Sequence, residues 1–282
     1  MYFPRGFDRE RAVELGKLVQ QAYRQLETYR NDERWAPVGG YSLVKELLYS
    51  RQGAFLKNRS SFDFEVERLP RFAARQLKDL PIGFVARRGG DFFLVFRGTV
   101  TVEEWIRNLN ISLAPFLREG FGKVHEGFLQ TYGFIRSSIL EALGAGGGGK
   151  RLFITGHSLG GALATLAAAD VSRGTMYPSP VLYTFGSPRV GDRFFADAFN
   201  RRNGLTSYRI VNTSDVVVSV PFPVPLAGVL GGFFTHVETP VDFTSQEESL
   251  EKNHVMDTYL APLSAQKALG AVAFLQSVLG RR

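Results

Sequence analysis

Between residues 152 and 171 the chain reads as a short apolar strand, Leu152-Phe153-Ile154-Thr155, running into Gly156-His157-Ser158-Leu159-Gly160-Gly161 and then an alanine-rich helix ending at Val171. This stretch constrains the fold more than any other. A strand that passes straight into a helix must turn sharply, and the turn brings the two elements so close that positions two before and two after the serine tolerate little side-chain bulk. The serine is thereby pushed clear of the sheet edge, at the positive end of a helix dipole. The pattern Gly-x-Ser-x-Gly alone is weak, since a chain this long contains it by chance on the order of one time in ten. Its setting between strand and helix makes Ser158 a candidate nucleophile. The competing reading is an ordinary helix N-cap. His157 adjoins the serine but reads as a packing residue.

The same alternation continues beyond the turn. Val181 to Phe185 and Tyr208 to Val211 have strand composition, and Asp192 to Arg201 reads as a helix between them. Upstream, Ile82 to Ala86 and Phe92 to Phe96 form a hairpin around Gly89-Gly90. Glu126 to Leu143 has helical spacing, as does Asp8 to Thr28, where Ala12, Leu15, Leu18, Val19, Ala22, Tyr23 and Leu26 recur on one side. Alternating strands and helices predict an α/β architecture with a mostly parallel central sheet flanked by helices, made mixed by the hairpin. No repeat or long linker divides the chain, so 1–282 reads as a single domain. The tail from Ala261 to Leu279 reads as a packed amphipathic helix.

Composition narrows the partners. The 34 basic against 27 acidic residues give a formal charge of +7, but they are scattered, with no stripe or module for nucleic acid. Gly144 to Lys150 imitates the spacing of a phosphate-binding loop, yet it follows a helix and leads into a strand, and Arg151 replaces the hydroxyl residue that would hold magnesium. It reads as a flexible loop. There is no cysteine, and neither a metal cluster nor a cofactor motif is apparent. No run is apolar enough for a transmembrane segment. The opening Met1-Tyr-Phe-Pro-Arg lacks the apolar core of a signal peptide, so the expectation is a cytoplasmic protein unless a leader has been removed.

A serine hydroxyl becomes nucleophilic when a histidine takes its proton and a carboxylate orients that histidine. Where the serine sits on a strand-turn-helix, the order along the chain is Ser, Asp or Glu, His. Only His236 and His254 follow Ser158. His236 lies in the strand-like Phe233 to Glu238, whereas His254 stands between a polar loop and a helix start, where catalytic groups gather; His254 is preferred. Asp215 follows directly after the strand Tyr208 to Val211 and is the candidate acid, with a turn-forming role as the alternative. Asp192, Asp197 and Asp242 read as capping or solvated residues. For the oxyanion hole, the Leu159 N–H is one donor, and Thr99 in the loop Arg97-Gly98-Thr99 is the second, with Gly98 permitting close approach.

Several blocks then occur in register: Val95-Phe-Arg-Gly-Thr, Glu104-Trp-Ile-Arg-Asn-Leu, Val124-His-Glu-Gly-Phe, Thr155-Gly-His-Ser-Leu-Gly-Gly-Ala-Leu-Ala, Thr184-Phe-Gly-Ser-Pro-Arg-Val-Gly-Asp, Asn212-Thr-Ser-Asp-Val-Val and Phe234-Thr-His-Val. Over roughly residues 65 to 260 the chain resembles the class 3 lipases, the fungal-type triacylglycerol lipases and their relatives. The resemblance implies an α/β-hydrolase fold, the triad Ser158, Asp215 and His254, the oxyanion donors Thr99 and Leu159, and a position other than the base for His236. It also implies a short lid helix at Val102 to Leu109 with Trp105 as its aromatic, against a surface helix with Trp105 packed inward. Phe222 and Phe233 belong to the apolar stretch between acid and base, which either fills the core or lines an acyl-chain groove. The implied substrate is an acylglycerol or other lipid ester met at a lipid–water interface. Alternatives are a phospholipase A1 or galactolipase, a feruloyl-type esterase, and a non-catalytic lipid-binding protein.

Overall fold

The computed structural model describes residues 1–50, 79–99, 102–107, 109, 111–145, 151–173, 175–222, 234–237 and 239–265. Helix α1 (Arg9–Arg30) opens the chain, and the Asp8 carboxylate accepts from the Arg11 N–H at 2.9 Å to cap its first turn. Strands β1 (Ser42–Ser50), β2 (Asp79–Arg88) and β3 (Asp91–Phe96) follow. Gly89 and Gly90 between β2 and β3 both take positive φ, the conformation a tight hairpin requires. A one-turn helix α2 (Val102–Arg107) precedes short strands β4 (Leu113–Pro115) and β5 (Lys123–His125) and the long helix α3 (Glu126–Ala145). Then come β6 (Leu152–His157), α4 (Leu159–Val171), β7 (Val181–Phe185), β8 (Gly191–Asp192), α5 (Arg193–Asn200) and β9 (Thr206–Asn212). A 3-10 turn (Val216–Ser219), β10 (Phe234–Thr235), β11 (Pro240–Phe243) and α6 (Leu250–His254) lead to a last helical stretch, 256–265.

The main sheet has the order β1-β2-β3-β6-β7-β9-β11. Strands β3, β6, β7, β9 and β11 run parallel, and β1 and β2 add an antiparallel edge. Strand side chains alternate between two cores, as the two-residue period of a strand demands. Phe92, Leu94, Phe96, Ile154 and Leu182 pack with Phe128, Tyr132, Ile135 and Ile139 of α3 and with α4. Phe93, Val95, Phe153, Tyr183 and Ile210 pack on the opposite face with Ala12, Leu15, Leu18 and Val19 of α1 and with Met256, Tyr259, Leu260 and Leu263. Helix α4 is buried along its whole length, which explains its alanine-rich sequence with no polar stripe.

The layered α/β arrangement agrees with the sequence expectation. A second, four-stranded sheet, β10-β8-β5-β4, was not foreseen, because its strands have only two or three residues each and carry no readable period. Phe233, most of the apolar stretch that contains it (223–233), the glycine loop at 146–150 and the tail from 266 lie outside the described residues.

Candidate active site

Strand β6 ends at His157 and α4 begins at Leu159, so Ser158 alone makes the turn. It does so at φ 57° and ψ −131°, a left-handed conformation that costs a non-glycine residue roughly 1–3 kcal/mol. Its N–H is held by the Phe185 carbonyl at 2.9 Å. The closeness of strand and helix is measurable: a Cβ on Gly156 would lie 2.1 Å from the Gly160 carbonyl oxygen. Ser158 stands at the N-cap position of α4, but its side chain makes no capping hydrogen bond. Its Oγ is buried and has no hydrogen-bond partner within the protein.

Asp215 follows β9 and His254 ends α6, the helix after the last strand β11, and the two come together. The Asp215 Oδ2 accepts from His254 Nδ1 at 2.6 Å and from the Tyr259 hydroxyl at 2.5 Å, and its Oδ1 accepts from the Val217 N–H at 2.9 Å. Asp215 thus also caps the 3-10 turn; the turn-forming role and the pairing coexist in one carboxylate. A carboxylate only accepts, so His254 carries its proton on Nδ1 and turns a lone pair outward on Nε2, which is buried and without a protein partner. The backbone around it is fixed by Asn212, whose Nδ2 donates to the carbonyls of Ser245 and Asn253 at 2.8 and 3.0 Å. His254 is the last residue of α6, not part of the loop the sequence suggested.

The loop expected to carry the second oxyanion donor follows β3. Arg97, with a fully buried side chain, ties it down by donating from Nε to Pro81 O at 2.8 Å and from Nη1 to Gly98 O at 2.7 Å. Gly98 is in close contact: a Cβ there would meet Ser158 Cβ at 2.6 Å and the Tyr23 hydroxyl at 2.7 Å. Thr99 is buried with its Oγ1 unpartnered, and Leu159 opens α4, where an N–H has no carbonyl one turn back. Thr99 and His254 both line a cleft of about 480 Å³, together with Gln20, Tyr23, Val255 and Met256.

His236 is occupied elsewhere. Its Nε2 donates to the Val218 carbonyl at 2.7 Å, and burial, helped by the charge of Arg209, pushes its pKa down to about 3. Asp192 caps α5 through the Phe195 N–H, Asp197 is a half-exposed partner of Arg193 and Arg201, and Asp242 lies on the edge strand β11. Trp105 departs from the expected lid aromatic. It is buried, stacked on Phe128 at 6.3 Å in the core under α3, and α2 rests against α6. Phe222 is exposed. Among the described residues no group of three or more His, Asp or Glu side chains is placed to hold a metal ion, and no helix is long and apolar enough to cross a membrane.

Three residues at this site were not anticipated: Tyr259, Asn212 and, as more than packing, His157. Burial raises the Tyr259 pKa, and the nearby Asp215 charge raises it further, so its hydroxyl stays protonated and donates. A buried tyrosine five positions after a candidate base is the available sequence signal, because such a hydroxyl needs an acceptor.

A mixed sheet with parallel crossovers, helices on both faces and a serine strained at a strand-to-helix turn define an α/β-hydrolase. Residues 93–224 match the family model described as Lipase (class 3). A secreted mono- and diacylglycerol lipase of Fusarium solani is 40% identical over 129 residues, 44% of this chain and 38% of that protein. A chloroplastic/mitochondrial phospholipase A1 of Oryza sativa subsp. indica is 32% identical over 255 residues, 71% of this chain and 58% of that protein. The structure of a Rhizomucor miehei lipase propeptide complex superposes with a TM-score of 0.60 at 25% identity, covering 86% of this chain and 71% of that one. Residues 93–224 thus carry the class 3 lipase match, and the relatives and the solved structure similar to this chain are lipases and a phospholipase A1. It spans little more than a third of the fungal relative's length and somewhat over half of the plant one's.

The cytoplasmic expectation does not survive these comparisons, because the fungal relative is secreted and the rice one is chloroplastic or mitochondrial. The physical reason is plain in the fold. The opening residues belong to the α1 layer, and their pattern reports packing against the sheet, not a compartment.

Proposed function

We propose that this chain hydrolyses the carboxylic esters of acylglycerols through an acyl-enzyme on Ser158. The observation that carries the reading is the Asp215–His254 pair at 2.6 Å, whose buried Nε2 has no protein partner, alongside the equally unpartnered Oγ of a serine strained at a strand-to-helix turn. His254 Nε2 takes the Ser158 proton as Oγ forms a bond to the ester carbon, and the carbonyl oxygen becomes an anion facing the N–H groups of Thr99 and Leu159. The tetrahedral intermediate collapses, the C–O bond to the alcohol breaks, and the imidazolium returns the proton to the departing alkoxide. Water, deprotonated by the same Nε2, then attacks the acyl carbon and releases the acid, restoring Ser158. Asp215 holds the imidazole in its Nδ1–H tautomer and stabilises its transient positive charge, and Tyr259 and Val217 hold Asp215.

Contact with a lipid–water interface belongs to the same reading. Phe222 is 56% exposed and Val255, at the lip of the cleft, 45% exposed, and both can enter a lipid surface while the ester reaches Ser158. The short helix α2 against α6 is the element whose displacement would widen access. A phospholipase A1 activity is the second reading, favoured by the extent of the match to the rice enzyme.

A substrate panel separates these. Turnover of p-nitrophenyl butyrate, triolein, phosphatidylcholine, galactolipid and methyl ferulate is measured for wild type and Ser158→Ala. Acylglycerol turnover that disappears in Ser158→Ala is the expected result. Preference for phosphatidylcholine selects the second reading, and preference for methyl ferulate, or activity that survives Ser158→Ala, refutes both.

A further inference from the structure

Helix α1, the oxyanion loop and the backbone of the candidate base are joined by three hydrogen bonds in series. The Gly98 N–H donates to the Tyr23 hydroxyl oxygen at 3.0 Å, that hydroxyl meets His157 Nδ1 at 2.8 Å, and His157 Nε2 meets the His254 carbonyl oxygen at 2.6 Å. We propose that Tyr23 and His157 are positioning residues that lock the oxyanion loop and the catalytic histidine to one another; the inference rests on the hydrolase reading above.

The direction of the chain follows from elementary donor and acceptor chemistry. A carbonyl oxygen only accepts, so His157 Nε2 must carry hydrogen. Burial, with the adjacent His254 ring adding to it, holds the His157 imidazole neutral, so its Nδ1 is a lone pair. The Tyr23 hydroxyl therefore donates to Nδ1 and keeps its oxygen for the Gly98 N–H. Every donor in the series has an acceptor, and the other tautomer would set a ring lone pair against a carbonyl lone pair at 2.6 Å. His157 is thus more than filler. It is the last residue of a central strand, next in sequence to Ser158, and its ring lies 4.4 Å from that of His254.

The consequence concerns distance. Asp215 fixes the His254 ring at Nδ1 but leaves the backbone from which the ring projects to be placed by other contacts. His157 supplies one at the His254 carbonyl, anchored to the strand that presents the nucleophile, while Asn212 supplies another at Asn253. Through Tyr23 the same series sets where Gly98, and with it Thr99, stands relative to Ser158. A change at either residue is expected to act on kcat, because it alters the alignment of groups that meet only in the transition state.

The test measures p-nitrophenyl butyrate kinetics for Tyr23→Phe, His157→Leu, the double variant and His157→Gln, with ¹⁵N NMR of the histidine rings in wild type. Tyr23→Phe and His157→Leu each lower kcat about tenfold, the rate equivalent of one hydrogen bond's net contribution, with KM changed less than about twofold. The double variant falls no further than the worse single one, because a series broken once is already broken. His157→Gln, which keeps an N–H for the His254 carbonyl, recovers most of the loss seen with leucine. The wild-type spectrum shows His157 as the neutral Nε2–H tautomer. An unchanged kcat in Tyr23→Phe, multiplying losses in the double variant, no rescue by glutamine, or an Nδ1–H tautomer overturns the proposal. Wild-type protein with no ester turnover and no fluorophosphonate adduct overturns the hydrolase reading instead, and the NMR tautomer still decides the direction of the series.

Discussion

Replacing Gly98 with alanine isolates the geometry of the proposed oxyanion loop. The added methyl would lie 2.6 Å from Ser158 Cβ, 2.7 Å from the Tyr23 hydroxyl and 2.9 Å from the His157 carbonyl oxygen. Two of these three neighbours cannot move freely. The Ser158 Cβ and the His157 carbonyl belong to the strained turn, whose Ser158 N–H is fixed to Phe185. Carbon atoms in ordinary contact stand about 3.5 Å apart, so relieving the 2.6 Å contact requires the loop to withdraw by roughly 0.9 Å. Arg97 resists, being bonded to the carbonyls of Pro81 and Gly98. A misplacement of about 1 Å in a preorganised site lowers the rate on the order of 10²-fold, and loss of one oxyanion donor costs 10² to 10³. Gly98→Ala is therefore expected to lower kcat on p-nitrophenyl butyrate by about 10²-fold, with KM changed less than about threefold. Overpacking also lowers stability by about 1–3 kcal/mol, so the kinetics are run well below the Tm found by circular dichroism. A folded Gly98→Ala protein with kcat within about threefold of wild type would refute the placement of the oxyanion at this loop.

Three further outcomes follow from the same contacts. Tyr259→Phe removes one donor from Asp215 while keeping the buried ring, and kcat is expected to fall about tenfold with a change in Tm of a few degrees; an unchanged kcat would mean that Tyr259 only fills space. Asp170 is wholly buried on α4 and accepts from Arg118, Arg136 and Tyr132; burial pushes its pKa up, but these partners more than offset this and hold it low. Asp170→Asn is expected to cost about 3 kcal/mol in urea unfolding without changing kcat, and a loss under about 1 kcal/mol would contradict the network. His236, whose pKa falls to about 3, and His157, also held neutral by burial, take up protons on unfolding below their ordinary value of 6.5. Stability therefore falls as pH drops below about 6.5, by roughly 1.4 kcal/mol per pH unit for each, down to about pH 3 for His236. His236→Gln should flatten the slope of unfolding free energy by one proton's worth between pH 6 and 4, and an unaltered slope would contradict the buried neutral state.

The large elements were legible because their signals are local and repeated. In α1, six apolar positions of the helical spacing, from Ala12 to Leu26, are all buried in the structure, and the hairpin announces itself by two adjacent glycines. The turn at Ser158 was legible for a related reason: strand, glycine, serine, glycine and helix lie within twenty residues. The details that surround it were not. Tyr23 and His157 are 134 positions apart, and Tyr259 and Asp215 are 44 apart, so no spacing along the chain links them. Trp105 was misplaced for want of length. Helix α2 has six residues, too few to show which face is apolar, and only the stacking on Phe128 reveals its direction. The same limit hid α6, whose five residues end on His254.

The central claim is that Ser158 attacks esters because His254 removes its proton. Labelling with a fluorophosphonate ester, followed by peptide mass spectrometry, tests it most directly. Wild-type protein is expected to carry one adduct, on Ser158, while folded Ser158→Ala carries none and folded His254→Ala labels more slowly by several orders of magnitude. An adduct on any other residue, or labelling of Ser158 at the wild-type rate in His254→Ala, would contradict the account.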